Sequence, residues 1–304
     1  MVLVDLLVDR FLAWLLTCLW RVFAAMPLWA LSCLAGVLAP LVRLAARRDR
    51  RQLSENVRRI YGLPAHSYFA QLFSRQVFKQ QVLIALETMR LIRKPDLVEL
   101  LGFEELADKV ATAESAGRGH IMITAHLGSW ELCAYYAQKA AKRPLHVLAK
   151  PAKRRFLTLF LAQLRECMQV HVLWTDRKTL LRDMLGALKR QESLGFVMDQ
   201  KPEGRQGPSV PFLGLPTEFV SGPAAMAIRA DCPVIAIFCV REGAGRYRLL
   251  SRTLLPALHG QKDETAVTAL CAAAISDVIR AYPEQWTWTY KRWRSLARVA
   301  AEGQ

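Results

Sequence analysis

The sequence predicts an α/β fold, a largely parallel central sheet flanked by helices, with an N-terminal membrane-anchoring helical segment. From residue 121 onward, short apolar runs alternate with stretches of helical length, which is typical of a parallel sheet with crossover helices. Ahead of them, residues 22–42 carry no charge and are long enough to cross a bilayer core. The predicted strands are 121–125, 145–149, 170–173, 194–198 and 233–240, and the predicted helices are 130–141, 153–168 and 177–191.

The N-terminal segment divides the chain into residues 1–50, an anchor with a basic flank, and residues 51–304, a larger domain whose residues 50–95 have helical character. Pro27 and Pro40 argue against one straight helix through the uncharged run, because an interior proline kinks or ends a helix. A bent span, a re-entrant pair and an interfacial helix all stay open. The positive-inside tendency places the larger domain in the cytoplasm, because arginines follow at once at positions 43, 47, 48, 50 and 51.

Composition narrows the class of protein. The chain has 304 residues, 53% of them hydrophobic, which suffices for a sizeable core and excludes a disordered protein. Lys and Arg number 42 against 26 Asp and Glu, and the net charge of +16 predicts attraction to nucleic acid, a phospholipid surface, an acidic carrier or a phosphorylated substrate. The seven scattered cysteines predict reduced thiols rather than a disulfide framework.

The segment His126-Leu-Gly-Ser-Trp-Glu131 places a histidine and a carboxylate at the end of a predicted buried strand. On one helix these two side chains would point about 140° apart, so they meet only if the chain bends, and Gly128 supplies the break between strand and helix. We predict that His126 is a general base and that Glu131 orients it. Backbone N–H groups around Gly128 are candidate donors to a developing oxyanion.

Two other interpretations of this segment compete with the first. His126 could be an ordinary loop histidine and Glu131 a first-turn acid favoured by the helix dipole. The second alternative is a zinc site. His120 lies six residues before His126, so the two side chains could face the same side of a strand. No Cys-x-x-Cys or His-Glu-x-x-His motif accompanies the two histidines, so we expect no metal site.

Asp199 also follows a predicted strand. Ligands of parallel α/β sheets bind at the carboxyl ends of strands, so folding can bring Asp199 close to His126 although 73 positions separate them. The Gly- and Pro-rich residues 204–216 are predicted to form one long loop.

The order of these blocks resembles that of the bacterial lipid A biosynthesis acyltransferase family, within the lysophospholipid acyltransferase superfamily and its His-x4-Asp/Glu motif. The matching blocks run through roughly residues 20–295. They are Gly117-Arg-Gly119, the segment from His126 to Glu131, Asp199-Gln200, Gly207-Pro-Ser-Val-Pro-Phe-Leu-Gly214 and Pro283-Glu-Gln-Trp-Thr-Trp. Ser129, Leu213 and Lys201-Pro202 depart from the usual pattern, and the last two bear on the acceptor.

The resemblance implies transfer of a fatty acyl chain to a hydroxyl of a membrane glycolipid such as a lipid A precursor, at the cytoplasmic side of the inner membrane. The donor would be acyl carrier protein or acyl-coenzyme A, with no cofactor, and the +16 charge suits an acidic carrier and an anionic phospholipid surface. A lysophospholipid, an aminolipid or a mannosylated lipid is the alternative acceptor. The residues expected to contact substrate are Gly128, Trp130, Arg165, Asp199, Gln200 and Arg205, with Arg165 meeting a phosphate or developing negative charge.

The C-terminal aromatic residues leave a different class of function open. Trp286, Trp288 and Tyr290 alternate with threonines, which predicts a half-buried strand, and the basic residues around Trp293 suit lipid phosphates. Stacking aromatics with cations also suit nucleic acid, but no nucleic-acid-binding module is recognisable, and we expect none to bind. A non-enzymatic, basic, membrane-associated or nucleic-acid-binding protein is therefore the alternative from another class.

Overall fold

The computed structural model describes residues 2–202, 207–258 and 260–293. Within this part of the chain, helices cover both faces of a seven-stranded sheet, and a two-stranded hairpin lies beside it. The helices are α1 (Val2–Ala25), α2 (Leu28–Ala45), α3 (Arg47–Tyr61), α4 (Tyr68–Arg93), α5 (Phe103–Ser115), α6 (Trp130–Ala140), α7 (Arg155–Cys167), α8 (Leu180–Lys189), α9 (Gly222–Ala230) and α10 (Glu264–Ala281). The strands are β1 (Glu99–Leu101), β2 (His120–Thr124), β3 (Leu145–Ala149), β4 (His171–Trp174), β5 (Ser193–Val197), β6 (Ser209–Phe212), β7 (Leu215–Glu218), β8 (Val234–Gly243) and β9 (Arg246–Leu255).

The large sheet has the strand order β1-β9-β8-β2-β5-β3-β4. Every neighbouring pair in it is parallel except β8 and β9, which form an antiparallel hairpin around Gly245. This confirms the predicted α/β class with a largely parallel sheet. The predicted long loop over residues 204–216 is wrong in its second half, because β6 and β7 pair there across Leu213 and Gly214.

The strand register places His126 and Asp199 at the same edge of the sheet. Thr124 at the end of β2 is paired with Val197 at the end of β5. His126 and Asp199 each lie two residues beyond this pair, so both leave the sheet at the same edge. β2 and β5 are central strands with buried side chains, and the backbone ahead of both residues is therefore held on two sides.

The two N-terminal helices pack along the outside of the larger domain. α1 lies against α4 and α7, and α2 lies against α4, where Leu31 and Ala35 are fully buried against Leu83 and Leu86. Pro27 separates the two helices, whereas Pro40 is accommodated inside α2. Each helix leaves an apolar face exposed. α2 is long and apolar enough to cross a membrane, by length and composition.

The C-terminal aromatic segment does not form the predicted half-buried strand. Residues 283–285 make a short 3-10 turn, and Trp286 is joined to Leu127 by a single antiparallel bridge. Trp286, Trp288 and Trp293 are each at most 1% exposed and lie in the main core with Phe212. These rings close the hydrophobic core, which removes them from the surface at which lipid or nucleic acid would meet them.

A buried ion pair ties α4 to the sheet. The carboxylate of Glu87, fully buried, accepts two hydrogen bonds from Arg241 at 2.9 and 2.8 Å and one from the hydroxyl of Tyr247 at 2.9 Å. Because every oxygen of this carboxylate has a partner, its burial is compensated. One residue later, the same helix contacts the loop between β2 and α6, since the Thr88 and Ser129 hydroxyls are 2.7 Å apart.

We expect Glu87→Leu to lower the free energy of unfolding by about 3–5 kcal/mol, because it leaves the Arg241 guanidinium without its partner in a nearly dry site. The matched double variant Glu87→Leu/Arg241→Met removes both charges and should recover a large part of this loss. Urea unfolding in detergent, followed by tryptophan fluorescence, measures both. A double variant no more stable than Glu87→Leu alone would contradict this account of the pair.

Candidate active site

His126 is held by Asp199. Its Nδ1 lies 2.7 Å from Asp199 Oδ1, and its backbone N–H donates to Asp199 Oδ2 at 3.1 Å. The indole N–H of Trp286 donates to the same Oδ2 at 2.8 Å, and Asp199 is only 3% exposed. An ionised carboxylate can only accept hydrogen bonds, so the neutral imidazole carries its proton on Nδ1 and presents the lone pair of Nε2.

The electrostatics of this pair favour a basic imidazole. Burial alone would lower the pKa of His126, but the charge and hydrogen bond of Asp199, with a smaller contribution from the charge of Glu131, raise it above its ordinary value. Burial would raise the pKa of Asp199, whereas the charge of His126 and the hydrogen bonds from His126 and Trp286 lower it. Both pKa shifts favour an ionised carboxylate beside the imidazole.

The C-terminal segment completes the support of His126. The backbone N–H and the hydroxyl of Thr287 both donate to the His126 carbonyl, at 3.0 and 2.9 Å. Sequence reasoning noted the Pro283-Glu-Gln-Trp-Thr-Trp block but assigned neither Trp286 nor Thr287 to the site. Nothing in the local pattern of this block points to His126. Only its place in the order of blocks that resemble the family could have indicated that it belongs to the site.

The structure corrects the expected partner of His126. Glu131, in the first turn of α6, forms a bidentate ion pair with Arg165 of α7, at 2.7 Å from Nη2 and 3.1 Å from Nε. Both of its oxygens are bound there, and Asp199 occupies the position that the sequence analysis gave to Glu131. The physical reason is register, because β5 delivers Asp199 to the imidazole while α6 turns Glu131 toward α7. Arg165, predicted to meet negative charge, meets a carboxylate of the protein itself.

The predicted oxyanion donors are also differently engaged. Gly128 N–H donates to the Gln285 carbonyl at 3.1 Å, and Ser129 N–H donates to the Cys239 carbonyl at 2.8 Å. Gly128 has φ +59°, and a Cβ there would lie 2.1 Å from the Cys239 carbonyl oxygen, so only glycine fits this loop. These hydrogen bonds shape the loop after His126 rather than point at a reacting group.

Three further residues were predicted to contact substrate, and the structure places two of them beside His126. Trp130 lies beside the base, its ring centroid 5.3 Å from that of His126 in an edge-on arrangement. Gln200 also lies there, with its amide nitrogen 3.5 Å from His126 Nε2, a distance at which a hydrogen bond is weak and a hydroxyl can replace it. Arg205 lies outside the described residues.

A narrow apolar cavity begins at the ion pair of Glu131 and Arg165. It has a volume of about 50 Å³ and runs between α6 and the strands β2, β3 and β5. Its walls are otherwise almost entirely apolar, so Glu131 and Arg165 are the charged groups at its lining. The lining includes Met122, Trp130, Ala134, Val147, Gly195 and Phe196.

The residues that the structure describes contain no group of three or more His, Cys, Asp or Glu side chains that could hold a metal ion. His120 is fully buried at the start of β2, where its Nε2 lies 3.0 Å from the Ser193 hydroxyl, and burial lowers its pKa to about 4. It lies at the opposite end of β2 from His126, so the two histidines do not share a site.

The chain is similar to known acyltransferases over most of its length. A model of the bacterial lipid A biosynthesis acyltransferase family matches residues 5–295. Phosphatidylinositol mannoside acyltransferase of Mycolicibacterium smegmatis is 25% identical over 287 residues, covering 90% of this chain and 88% of that protein. The Mycobacterium tuberculosis H37Rv protein of the same name is 24% identical over 254 residues, covering 80% of this chain and 76% of that protein.

We expect the acidic limb of the activity profile to lie above pH 6.5, because His126 must be neutral to accept a proton and its pKa is raised. Asp199→Asn removes the main charge that raises this pKa, so the limb should move to lower pH while kcat falls about 10²-fold or more. Glu131→Gln should move the limb less, because Glu131 contributes less to the pKa. Equal displacement by both variants in kcat-against-pH measurements would contradict the assignment of Asp199.

The same shift has a consequence for stability. A histidine with a raised pKa in the folded state stabilises the protein fully below its unfolded value of about 6.5, and this contribution is lost as the pH rises through the folded pKa.

Proposed function

The chain belongs to the bacterial lipid A biosynthesis acyltransferase family and is an acyltransferase, and on this premise we propose that it transfers a fatty acyl chain from an acyl thioester to a hydroxyl of a membrane glycolipid. The single observation that carries the mechanism is the hydrogen bond between His126 Nδ1 and Asp199. It leaves Nε2 as the basic atom, at the carboxyl edge of the sheet where ligands of such folds collect. Family membership also makes the non-enzymatic, nucleic-acid-binding alternative superfluous.

In the proposed reaction, His126 Nε2 takes the proton of the acceptor hydroxyl as its oxygen attacks the thioester carbonyl carbon. The tetrahedral intermediate then collapses, the carbon–sulfur bond breaks, and the imidazolium returns its proton to the departing thiolate. Asp199 stays ionised throughout and stabilises the imidazolium. No covalent acyl-enzyme is needed, so no serine or cysteine nucleophile is required. Gln200 yields its position at Nε2 to the hydroxyl.

Glu131 and Arg165 have a different role in this proposal from the one expected of Glu131. Arg165 uses its Nε and Nη2 on the carboxylate, and a guanidinium has five N–H donors, so others stay available for the carbonyl oxygen of the thioester. Glu131 fixes the guanidinium in place, and its charge adds to that of Asp199 on the imidazolium. Removing Glu131 would therefore free Arg165 rather than release His126.

The apolar cavity supports binding of the acyl chain at this ion pair. A thioester carbonyl placed between His126 and Arg165 would have its hydrocarbon tail enter between α6 and the sheet. The cavity as it stands is too narrow for a long chain, so the tail enters as the side chains of α6 and β3 move apart. Gly195 keeps the floor open, because a Cβ there would lie 3.1 Å from Val147 Cγ1.

Two observations bear on the acceptor and donor. The relatives named above are acyltransferases of a phosphatidylinositol mannoside, which favours a mannose-bearing, phosphate-bearing glycolipid over a lipid A disaccharide. Leu213 departs from the family pattern in the loop that is associated with the acceptor. For the donor we propose acyl carrier protein, whose acidity suits the net charge of +16, and coenzyme A thioesters as the alternative.

The proposed location follows from the N-terminal helices. Apolar side chains exposed along α1 and α2 favour association with a membrane, as does the family. Both helices pack along the larger domain, which favours an interfacial position over a helix that crosses the bilayer alone. We place the protein at the inner membrane with its site on the cytoplasmic side, because arginines follow the apolar segment directly.

Purified protein with acyl carrier protein or coenzyme A thioesters and an acceptor panel, read by mass spectrometry, tests the function. The panel contains a mannosylated phosphatidylinositol, a lipid A precursor and a lysophospholipid. We expect an ester on a sugar hydroxyl of the first, and a loss of at least 10²-fold in rate for His126→Ala. A matched His171→Ala variant, at the opposite edge of the sheet, should keep its rate. Acylation by His126→Ala at the wild-type rate would contradict the mechanism.

The cavity assignment is tested by Ala134→Phe, which adds a ring to the cavity wall on α6. We expect the preferred acyl chain to become shorter by several carbons, seen as a changed ratio of kcat/KM between long- and short-chain donors. Ala140→Phe, near the end of the same helix and outside the cavity lining, is the control and should leave the ratio unchanged. An unchanged chain-length profile in a folded Ala134→Phe protein would place the tail elsewhere.

A further inference from the structure

A basic groove lies away from His126, where α2, α3 and the start of α4 meet. We call it the arginine groove and define its cationic residues as Arg43, Arg50, Arg51 and Arg58. Its volume of about 410 Å³ is in the range of small-molecule sites. Ser54, His66, Gln71 and Ser74 add neutral polar groups to its lining.

The charges of this groove are only partly used inside the protein. Arg43 donates to the buried Ser74 hydroxyl at 3.2 Å, and Arg50 donates to the Arg43 carbonyl at 3.3 Å, so both side chains are positioned by the fold. The side chains of Arg51 and Arg58 are exposed and make no hydrogen bond or ion pair within the described part of the chain. The single acidic residue of the lining, Glu55, is bound to Arg59 at 2.7 Å.

Like charges accumulate around Arg43. It also lines a second, adjoining hollow with Arg75 and Lys79. Burial and then the charges of Arg50 and Arg75 lower the pKa of Arg43, which means that these guanidinium groups repel one another. Such an arrangement costs free energy in the unoccupied protein, and a bound anion would relieve it.

The groove opens beside an apolar surface rather than beside polar solvent-facing helices. Val37, Leu41 and Leu44 on α2 are each more than half exposed, and Tyr68 and Phe69 at the start of α4 are exposed by 74% and 68%. An apolar face next to a cationic groove is complementary to one class of ligand, a lipid with an anionic headgroup. A soluble anion would not use the apolar face.

We propose that the arginine groove binds the phosphate of an anionic phospholipid in the leaflet, with the acyl chains of that lipid against the exposed face of α2. The site is distinct from the one that performs acyl transfer. Along α4, Ser74 lies seven residues, or roughly 10 Å, before Gln81, which donates to the Gln285 carbonyl that also holds Gly128. A lipid bound here would therefore hold the catalytic loop at a fixed short distance from the headgroup layer.

Arg51→Gln/Arg58→Gln tests this site in the full-length protein, because both side chains are exposed and neither supports the fold. The control is Lys189→Gln/Arg229→Gln, which removes the same charge from another exposed basic hollow. Binding is measured by flotation with vesicles of phosphatidylcholine alone or with 20 mol% phosphatidylglycerol. One basic residue near an anionic surface contributes about fivefold to partitioning, so the groove variant should lose roughly 25-fold on anionic vesicles and the control less than twofold.

Each further outcome bears on the proposal. Equal losses for both variants would show attraction of the whole charge rather than a site, and would overturn it. Competition by millimolar inorganic phosphate as effective as added anionic vesicles would mean a soluble anion, and would overturn it as well. A groove variant that keeps vesicle binding but shows a raised KM for the carrier-protein donor would assign the groove to the carrier. Because flotation needs no acyl transfer, failure here is separate from failure of the proposed function.

Discussion

The carboxylate of Asp199 is the group on which the site depends. It is nearly inaccessible to water, and it accepts hydrogen bonds from the ring and the backbone of His126 and from the indole of Trp286. The carboxylate itself follows β5, and its donors come from the end of the adjacent strand β2 and from the C-terminal segment. An ion buried in this way is costly unless every oxygen is bound, so the three segments must come together for any of them to be stable.

The placement of Asp199 also determines how charge is distributed around His126. The imidazole is basic because one carboxylate is in contact with it and a second lies near it, and the second is kept from competing by its bidentate pair with Arg165. Two carboxylates near one histidine would otherwise repel each other, and one would tend to protonate. Arg165 separates them by binding the Glu131 carboxylate from α7. A similar arrangement recurs under the loop, where Glu87 is bound by Arg241 and Tyr247.

Much of the architecture could be predicted from local pattern. The five predicted strands and the three predicted helices after residue 121 agree with the structure within a few residues, because apolar runs and amphipathic stretches are local signals. β9 and the hairpin of β6 and β7 were not predicted, since mixed polar runs with prolines or arginines do not stand out. The C-terminal tryptophans alternate with threonines as in a strand, but their rings pack together in the hydrophobic core. This packing depends on the space left by Phe212 and the hairpin of β6 and β7.

The sequence indicated which residues lie at the site, but it did not indicate which side chains are hydrogen-bonded to each other. His126 was identified from the end of its strand, and Asp199 from the edge that both strands share. The choice between Asp199 and Glu131 as the partner depends on strand register and on the turn of α6, which are tertiary quantities. Sequence spacing alone favours the nearer residue, Glu131, and it was the wrong guide here because Arg165, 34 positions later, takes that carboxylate.

The packing of the N-terminal helices has a consequence for how the protein can be handled. Arg90 of α4 is buried, and its guanidinium donates to the Ala24 carbonyl at 2.8 Å and to the Met26 carbonyl in the turn between α1 and α2. Trp20 is bound to the Met89 carbonyl beside it. Deleting residues 1–45 to obtain a soluble enzyme would therefore strip one side of α4, leave a guanidinium without acceptors and expose Leu83 and Leu86. The two N-terminal helices are a structural part of the larger domain, so a more soluble protein is better sought by substituting the exposed apolar side chains of α1 and α2.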